Sequence, residues 1–192
     1  MPGGRHRPED AVLLAHPSIL QGMSSLPEVW LRGPLPDLPA LLQPVAHSLL
    51  QSREELRALL PALDDATLRA RPGGAASVAF HVAHAAGSLD RLLTYARGEP
   101  LSDAQLATLA MESSVDDVPA YAADLLAHFE ATVEGALAQL GATDEGTLTA
   151  PRAVGRRALP STVVGLLVHA AEHTQRHVGQ AMTIARVVRG HG

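Results

Sequence analysis

Cysteine and lysine are both absent from the 192 residues of this chain, and aromatic residues make up only 3% of it. The absence of cysteine excludes disulfides, thiolate metal ligands and a cysteine nucleophile. Because aromatic side chains are scarce, the core has to be built from leucine, valine and alanine, and leucine and alanine favour helices over sheets. The composition therefore predicts a helical protein whose chemistry does not use cysteine.

Charge is also sparse, with 18% charged residues, a formal net charge of −5 and arginine in place of lysine throughout. The densest basic group is Arg152 with Arg156 and Arg157, which is too small to follow a phosphate backbone. The first apolar run, residues 11–14, is too short for a signal peptide, and no run could cross a bilayer. We therefore expect a soluble, cytoplasmic protein with a small-molecule substrate and no nucleic-acid or membrane partner. A homodimer is left open.

Residues 1–37 are rich in proline and glycine and show no sustained periodicity, so we predict an irregular N-terminal arm with one short helical turn near 19–23. Trp30 is the only tryptophan. Because a large apolar ring gains much from burial, Trp30 is predicted to anchor the arm on the body of the protein. Residues 38–192 are predicted to form a single domain, since hydrophobic residues make up 46% of the chain and its length suits one core.

Four segments of this domain have apolar residues at helical spacing. They cover about 42–60, 77–96, 118–140 and 161–188. Ser77 is a plausible N-cap and Gly98 a plausible stop for the second helix, and Asp117 a plausible N-cap for the third. Alternating helices and loops of this kind predict an all-α four-helix bundle.

Two connections are long. The polar segment 99–117 is a crossover that lets the second and third helices run in the same direction, unlike a tight hairpin. The segment 142–159 is predicted to be a loop with an extended pair around 146–149.

Histidine is the residue that stands out, and the fourth predicted helix carries His169, His173 and His177 at intervals of four. Positions four apart lie only about 40° apart around a helix, so the three rings form one row. Two imidazoles at this spacing can bind one divalent ion, as in HExxH zinc proteins, with a third ligand from another helix. His81 and His84 lie together in the second predicted helix and could supply it.

The pattern alone leaves two interpretations open. Ten histidines in 192 residues give roughly half of one HxxxH pair by chance, so flanking or buried histidines without a ligand are the alternative to a metal site. In helical projection His177 lies closest to the apolar stripe and His169 furthest from it. The row would then lie at the edge of the core, within reach of solvent. The same projection places His81 nearer the core than His84.

The stretches "SVAFHVAHAAGSLDRLL" and "HTQRHVGQ" resemble the DinB/YfiT-like superfamily of metalloenzymes. The resemblance covers about residues 42–188. It implies a four-helix bundle with a left-handed crossover between helices 2 and 3. It also implies a metal ion held by one histidine near the start of helix 2 and an HxxxH pair on helix 4.

Carried onto this chain, the resemblance implies that His84, His173 and His177 are the three metal ligands. His84 lies seven residues after Ser77, which is the family's register. Gly179 and Gln180 match the end of the family's HxxxHRGQ pattern, and Val178 stands where arginine is common. His81 and His169 would then either contact the ligands without binding the metal themselves or be structural residues.

The resemblance further implies a divalent-metal-dependent enzyme, with zinc or nickel as the first choice and iron or copper as others. A low-molecular-weight thiol such as bacillithiol or mycothiol would be the co-substrate, and the reaction that of an S-transferase or a related transferase or hydrolase. The sequence names no separate catalytic residue. The alternative is a non-catalytic metal-binding or stress-response protein, and an open coordination position would favour the enzyme.

Other residues have less specific signals. Arg91 and Tyr95 share a side of the second helix with His84 and could line its pocket, whereas Glu172 is more simply a surface residue than a general base. The remaining histidines are predicted to be structural or without a role: His47, His128, His6, His16 and His191.

Overall fold

The computed structural model describes residues 26–117 and 121–190. These residues form six α-helices and one antiparallel pair of strands. The helices are α1 (Gln43–Leu59), α2 (Asp65–Arg69), α3 (Val78–Arg97), α4 (Asp103–Met111), α5 (Ala122–Gly141) and α6 (Val163–Arg189); the strands are β1 (Pro151–Val154) and β2 (Leu159–Thr162). Within these ranges no helix has the length and the apolar character that a membrane span needs.

The four long helices α1, α3, α5 and α6 form the predicted all-α bundle. Helix α3 packs between α5 and α6, and α1 packs against the same two helices from the other side. Near the C-terminal ends of α3 and α5, Arg97 of α3 donates a hydrogen bond to the Gln139 side chain of α5. Arg91 of α3 and His128 of α5, which both come earlier in their helices, line one cavity. The two helices therefore run in the same direction, which confirms the crossover; its handedness stays a prediction.

Leucine, valine and alanine fill the core, as the composition predicts, and Phe129 is its one fully buried aromatic ring among the described residues. Burial of one such leucine side chain stabilises the fold by roughly 1.5–3 kcal/mol before entropy is counted. The largest fully buried side chains are Phe129, Leu42, Leu49, Leu56, Leu60, Leu68, Leu89, Leu140, Leu167, Val78, Val82 and Val133.

The boundaries of α3 are those that the sequence predicts. The Ser77 hydroxyl accepts a hydrogen bond from the Phe80 amide at 3.0 Å and caps the first turn. Gly98 ends the helix with φ +83°, a left-handed conformation that strains any residue with a side chain. Because this helix is fixed at both ends, the histidines of its first two turns have a defined position.

The predicted start of the third helix is wrong. Helix α5 begins at Ala122, because Tyr121 has an extended backbone with φ −105° and ψ 122° that a helix cannot pass through. Residues 118–120 and the predicted turn at 19–23 lie outside the described residues.

The long connections contain more structure than predicted. Segment 99–117 holds α4, which begins with a capping box between Ser102 and Gln105, and then a 3₁₀ turn, Glu112–Asp117. The extended pair predicted at 146–149 is instead a 3₁₀ turn, Glu145–Thr147, in which Asp144 caps the Gly146 amide at 2.9 Å. The strands form just after it, as β1 and β2.

The anchor of the arm is not Trp30. Its side chain is 61% exposed, and its indole N–H donates to Glu28 at 2.7 Å. Val29 is the buried residue of this segment, and its amide donates to the Gln51 side chain at 3.0 Å. Val29 is therefore buried where Trp30 was expected to be, because the 3₁₀ turn Val29–Arg32 directs Val29 towards α1.

Candidate metal centre

Helices α3 and α6 bring together the three histidines that the resemblance singles out. One ligand nitrogen from each of His84, His173 and His177 lies within 4.8 Å of the other two. The ring centres of His84 and His173 each lie 4.5 Å from that of His177. All three residues are partly exposed, so the cluster lies at the edge of the core, where solvent reaches it.

The spacing of these nitrogens suits a metal ion. The Nε2 atoms of His84 and His173 are 3.0 Å apart. Two nitrogens at 2.0–2.1 Å from one tetrahedral zinc ion are about 3.3–3.4 Å apart, so a few tenths of an ångström separate the pair from ligand geometry. Without an ion the two nitrogens must share a proton, because two lone pairs facing each other at this distance repel.

A buried carboxylate fixes the ring of His84. Glu112, at the start of the turn after α4, is 8% exposed and lies with Oε2 2.7 Å from His84 Nδ1. Its Oε1 accepts a hydrogen bond from Arg91 at 2.5 Å. When neutral His84 donates from Nδ1 to this carboxylate, its Nε2 lone pair is left for a metal ion. Carboxylate–histidine pairs orient metal ligands in this way.

Two opposing influences set the ionisation of Glu112. Burial raises the pKa of this carboxyl, but the hydrogen bonds from His84 and Arg91, with the charge of Arg91, outweigh it, so the pKa lies below its ordinary value. The carboxylate is therefore ionised at neutral pH and neutralises the buried Arg91.

Gly87 makes room for that carboxylate. A Cβ atom on Gly87 would lie 2.5 Å from Glu112 Oε1 and 2.8 Å from Arg91 Nη1. Both distances are far inside van der Waals contact, so a side chain here would force Glu112 away from α3. The glycine three residues after His84 thus has a local function in the site.

His177 is held in its neutral, metal-binding form. Burial lowers its pKa to about 4, helped by the positive charges that His84, His173, His81 and Arg176 would carry. Its Nδ1 lies 2.9 Å from His81 Nδ1, which leaves Nε2 for a metal ion.

The pKa of His173 is lowered as well, first by burial and then by the charge of His84. Its Nδ1 is buried with no hydrogen-bond partner. Phe80 stacks on His84 with ring centres 5.4 Å apart and planes 7° from parallel. His84 therefore has the most complete surroundings of the three rings, and His173 the least.

The other candidates are outside the three-histidine set, although the ring centre of His169 is 5.4 Å from that of His173. His169 is about half exposed and lies 3.3 Å from Glu172, which also pairs with Arg176 on the same surface; the surface assignment of Glu172 is confirmed. Arg91 reaches His84 only through Glu112, and Tyr95 packs partly buried against the core. His128 is exposed.

Glu112 is the residue that sequence reasoning missed. It lies in the crossover that the periodicity marks as a polar connection. A carboxylate there has the same sequence signature as any surface glutamate. The one available hint was the glycine at position 87, since a glycine inside a helix costs stability and so often has a packing reason.

Comparison with known proteins identifies a family and a similar fold for this chain. A family model described as the DinB superfamily matches residues 48–181 of the chain, a range that includes all three histidines. The chain is also similar to a solved structure of a conserved protein from Enterococcus faecalis. The two share 22% identity and a TM-score of 0.64, over 78% of this chain and 98% of that chain, which shows a common fold. No curated protein matches.

Proposed function

Because this chain belongs to the DinB superfamily, we propose that it is a divalent-metal-dependent enzyme whose ion is held by His84, His173 and His177. One observation carries the proposal. Ligand nitrogens from two helices that are far apart in sequence converge within 4.8 Å, on residues that solvent can reach. A purely structural cluster gains nothing from partial exposure, whereas a catalytic ion needs an open coordination position.

The donor set fits a zinc or nickel ion, and iron or copper would also accept it. A divalent ion held by three neutral imidazoles keeps its full charge, so it supplies Lewis acidity that lowers the pKa of a water or thiol bound beside it. The lowered pKa values of His173 and His177 keep both rings uncharged at neutral pH, so that no positive charge on them opposes binding of the ion.

The surrounding residues orient the ligands. Glu112 selects the tautomer of His84 that presents Nε2, and Arg91, two turns further along α3, holds Glu112 in place. His81 contacts Nδ1 of His177 and so directs its Nε2 into the cluster. These contacts prepare two of the three rings for binding before any ion arrives.

For the reaction we propose the transfer of a low-molecular-weight thiol to a carbon electrophile, on the strength of the family resemblance. The sulfur forms the new bond, the leaving group departs from the electrophile, and the thiol proton goes to solvent. Partial exposure of the His84 side chain, 22%, gives both reactants access to the ligands. No further side chain is assigned to this step.

The test begins with metal analysis of protein purified without a nickel column. We expect about one equivalent of divalent metal per chain, and stabilisation of the metal-free protein by zinc of about 2.7 kcal/mol at a hundredfold excess over Kd. Less than one equivalent together with no stabilisation would refute the metal site.

The second step is a thiol-conjugation assay on metal-loaded and metal-free protein with bacillithiol, mycothiol and glutathione. Turnover that needs both metal and thiol supports the S-transferase. A protein that binds one metal ion but gives no turnover with any thiol would instead favour the non-catalytic, metal-binding alternative.

A further inference from the structure

A cavity separate from the histidine cluster lies beside α1 and α6. Its volume is about 630 Å³, and its walls are one face of α1, the segment around Glu28 and Trp30, and Gln175 of α6. Gln175 is two residues from both His173 and His177, about 200° around the helix from each. The cavity is therefore separate from the candidate metal centre. The α1 residues that line it at intervals of four are Gln43, His47, Gln51 and Glu55.

Glu55 is a partly buried carboxylate without a positive partner in the described part of the chain. It accepts one hydrogen bond, from Gln51 Nε2 at 3.1 Å. The two arginines closest to it in sequence, Arg53 and Arg57, form ion pairs with glutamates of α5 instead. Burial and the charge of Glu28 raise the pKa of Glu55. Both effects would be relieved by a cation in the cavity.

A second carboxylate, that of Glu28, also lines the cavity. One of its oxygens accepts from the Trp30 indole N–H, and none of the arginines in the described ranges lines the cavity beside it. His47 Nε2 is buried with no hydrogen-bond partner. Gln43 uses both ends of its side-chain amide on Leu35 and Leu38, whereas Gln175 accepts from Ser48 through Oε1 and keeps its Nε2 donor unused among the residues that the structure describes. The unused groups of the cavity are thus two carboxylates, one imidazole nitrogen and the amide nitrogen of Gln175.

We propose that this cavity binds a small protonated amine whose apolar part lies against Trp30. An ammonium group is a charged donor from which the carboxylates of Glu55 and Glu28 can accept, and an indole face attracts a nearby cation. The volume is within the range of small-molecule sites. A metal ion is the wrong occupant, because Glu55, Glu28 and His47 do not bring ligand atoms close enough together, whereas the histidine cluster does.

Trp30 makes the proposal directly testable, because it is the only tryptophan in the chain. Titration with 2-phenylethylamine should change its fluorescence saturably. The neutral isostere 2-phenylethanol should give a much weaker response, since it lacks the charge. Prior treatment with a chelator should leave the amine response unchanged, which separates this site from the metal centre and from the fate of the proposed enzyme activity.

Variants identify the carboxylate. Glu55→Gln should weaken amine binding roughly ten- to a hundredfold, the usual effect of one charged hydrogen bond, and Glu28→Gln should weaken it by less. Glu134→Gln removes the same charge from the exposed side of α5 and should leave binding unchanged. Equal binding of the amine and the alcohol, a response in Glu55→Gln equal to that of the parent protein, or no saturable response at all would each overturn the proposal.

Discussion

Two partly or fully buried glutamates have opposite surroundings in this protein. Burial raises the pKa of both Glu112 and Glu55. At Glu112 the hydrogen bonds from His84 and Arg91 reverse that effect, and the pKa falls below its ordinary value. At Glu55 the single hydrogen bond from Gln51 does not, and the pKa rises. The difference therefore lies in the partners, not in the depth of burial.

The comparison separates a completed network from an incomplete one. Glu112, Arg91 and His84 satisfy one another, so the centre beside them is preorganised for its ligand. Among the described residues the Gln51 amide is the one donor to the Glu55 carboxylate and no cation pairs with it, so this site can accept a charged donor from outside. Changes to the first network should thus lower stability or ligand affinity. Loss of the Glu55 charge should instead remove the cost of keeping that charge partly buried beside Glu28.

The largest effect is expected from His177→Ala, which removes one of the three nitrogens at the candidate centre. Zinc affinity, measured by competition with a chelating dye, should fall by more than the ten- to hundredfold typical of lost outer partners. His169→Ala is the matched control on the same helix, because its exposed ring lies beside His173 without being one of the three converging residues. Unchanged affinity in His177→Ala would refute the ligand assignment.

Glu112→Gln breaks the completed network at its centre. The amide can no longer neutralise Arg91, and an uncompensated buried charge destabilises a protein by about 3–5 kcal/mol. Zinc affinity should also fall roughly ten- to a hundredfold, because His84 loses its orienting carboxylate. Urea unfolding and zinc competition measure the two effects. Glu172→Gln, on the surface of α6, should change neither; parent-like values in Glu112→Gln would show that the carboxylate has no part in the site.

The sequence predicts the bundle helices and the histidine cluster better than the contacts made by the connections between them. Periodicity and caps place the four bundle helices to within a few residues, because leucine spacing, Ser77 and Gly98 act locally. The convergence of His84 with His173 and His177 follows once α3 and α6 pack together, although metal binding there stays a proposal.

Residues that act across the fold were not predictable in this way. Glu112 meets His84 only because α4 and the turn after it fold back on α3, and no local pattern records that contact. Trp30 was predicted to be buried because of its size, but backbone direction in a 3₁₀ turn decides which neighbour points inward, and that residue is Val29. The strand pair after α5 was misplaced for a similar reason, since Asp144 caps a 3₁₀ turn, Glu145–Thr147, at the place where the pair was predicted.

Gly87→Ala should disturb the Glu112 network without removing any functional group from it. The added Cβ meets Glu112 Oε1 at 2.5 Å, so the end of this side chain has to move, and zinc affinity should fall by up to about tenfold. Stability of the metal-free protein should change little, because alanine favours a helix over glycine by up to about 1 kcal/mol and offsets the displacement. Gly135→Ala is the control, since nothing lies within 4 Å of its Cβ position. Equal zinc affinity in both variants would mean that the close approach at Gly87 has no consequence for the site.

The smallest effect is expected from Glu55→Gln, and its sign is opposite. The pKa of Glu55 is raised above its ordinary 4.5, so the native state is favoured most below that value and loses stability as pH rises through the raised pKa. The glutamine variant is free of this loss. It should be more stable than the parent protein at pH 7, by less than about 1 kcal/mol because Glu55 is only partly buried and solvent screens its charge, and the difference should shrink as pH falls through the raised pKa and disappear below 4.5. Urea unfolding at several pH values measures it. A glutamine variant that is less stable at pH 7, or whose advantage grows in acid, would show that Glu55 has a positive partner after all and that its cavity has no need of an external cation.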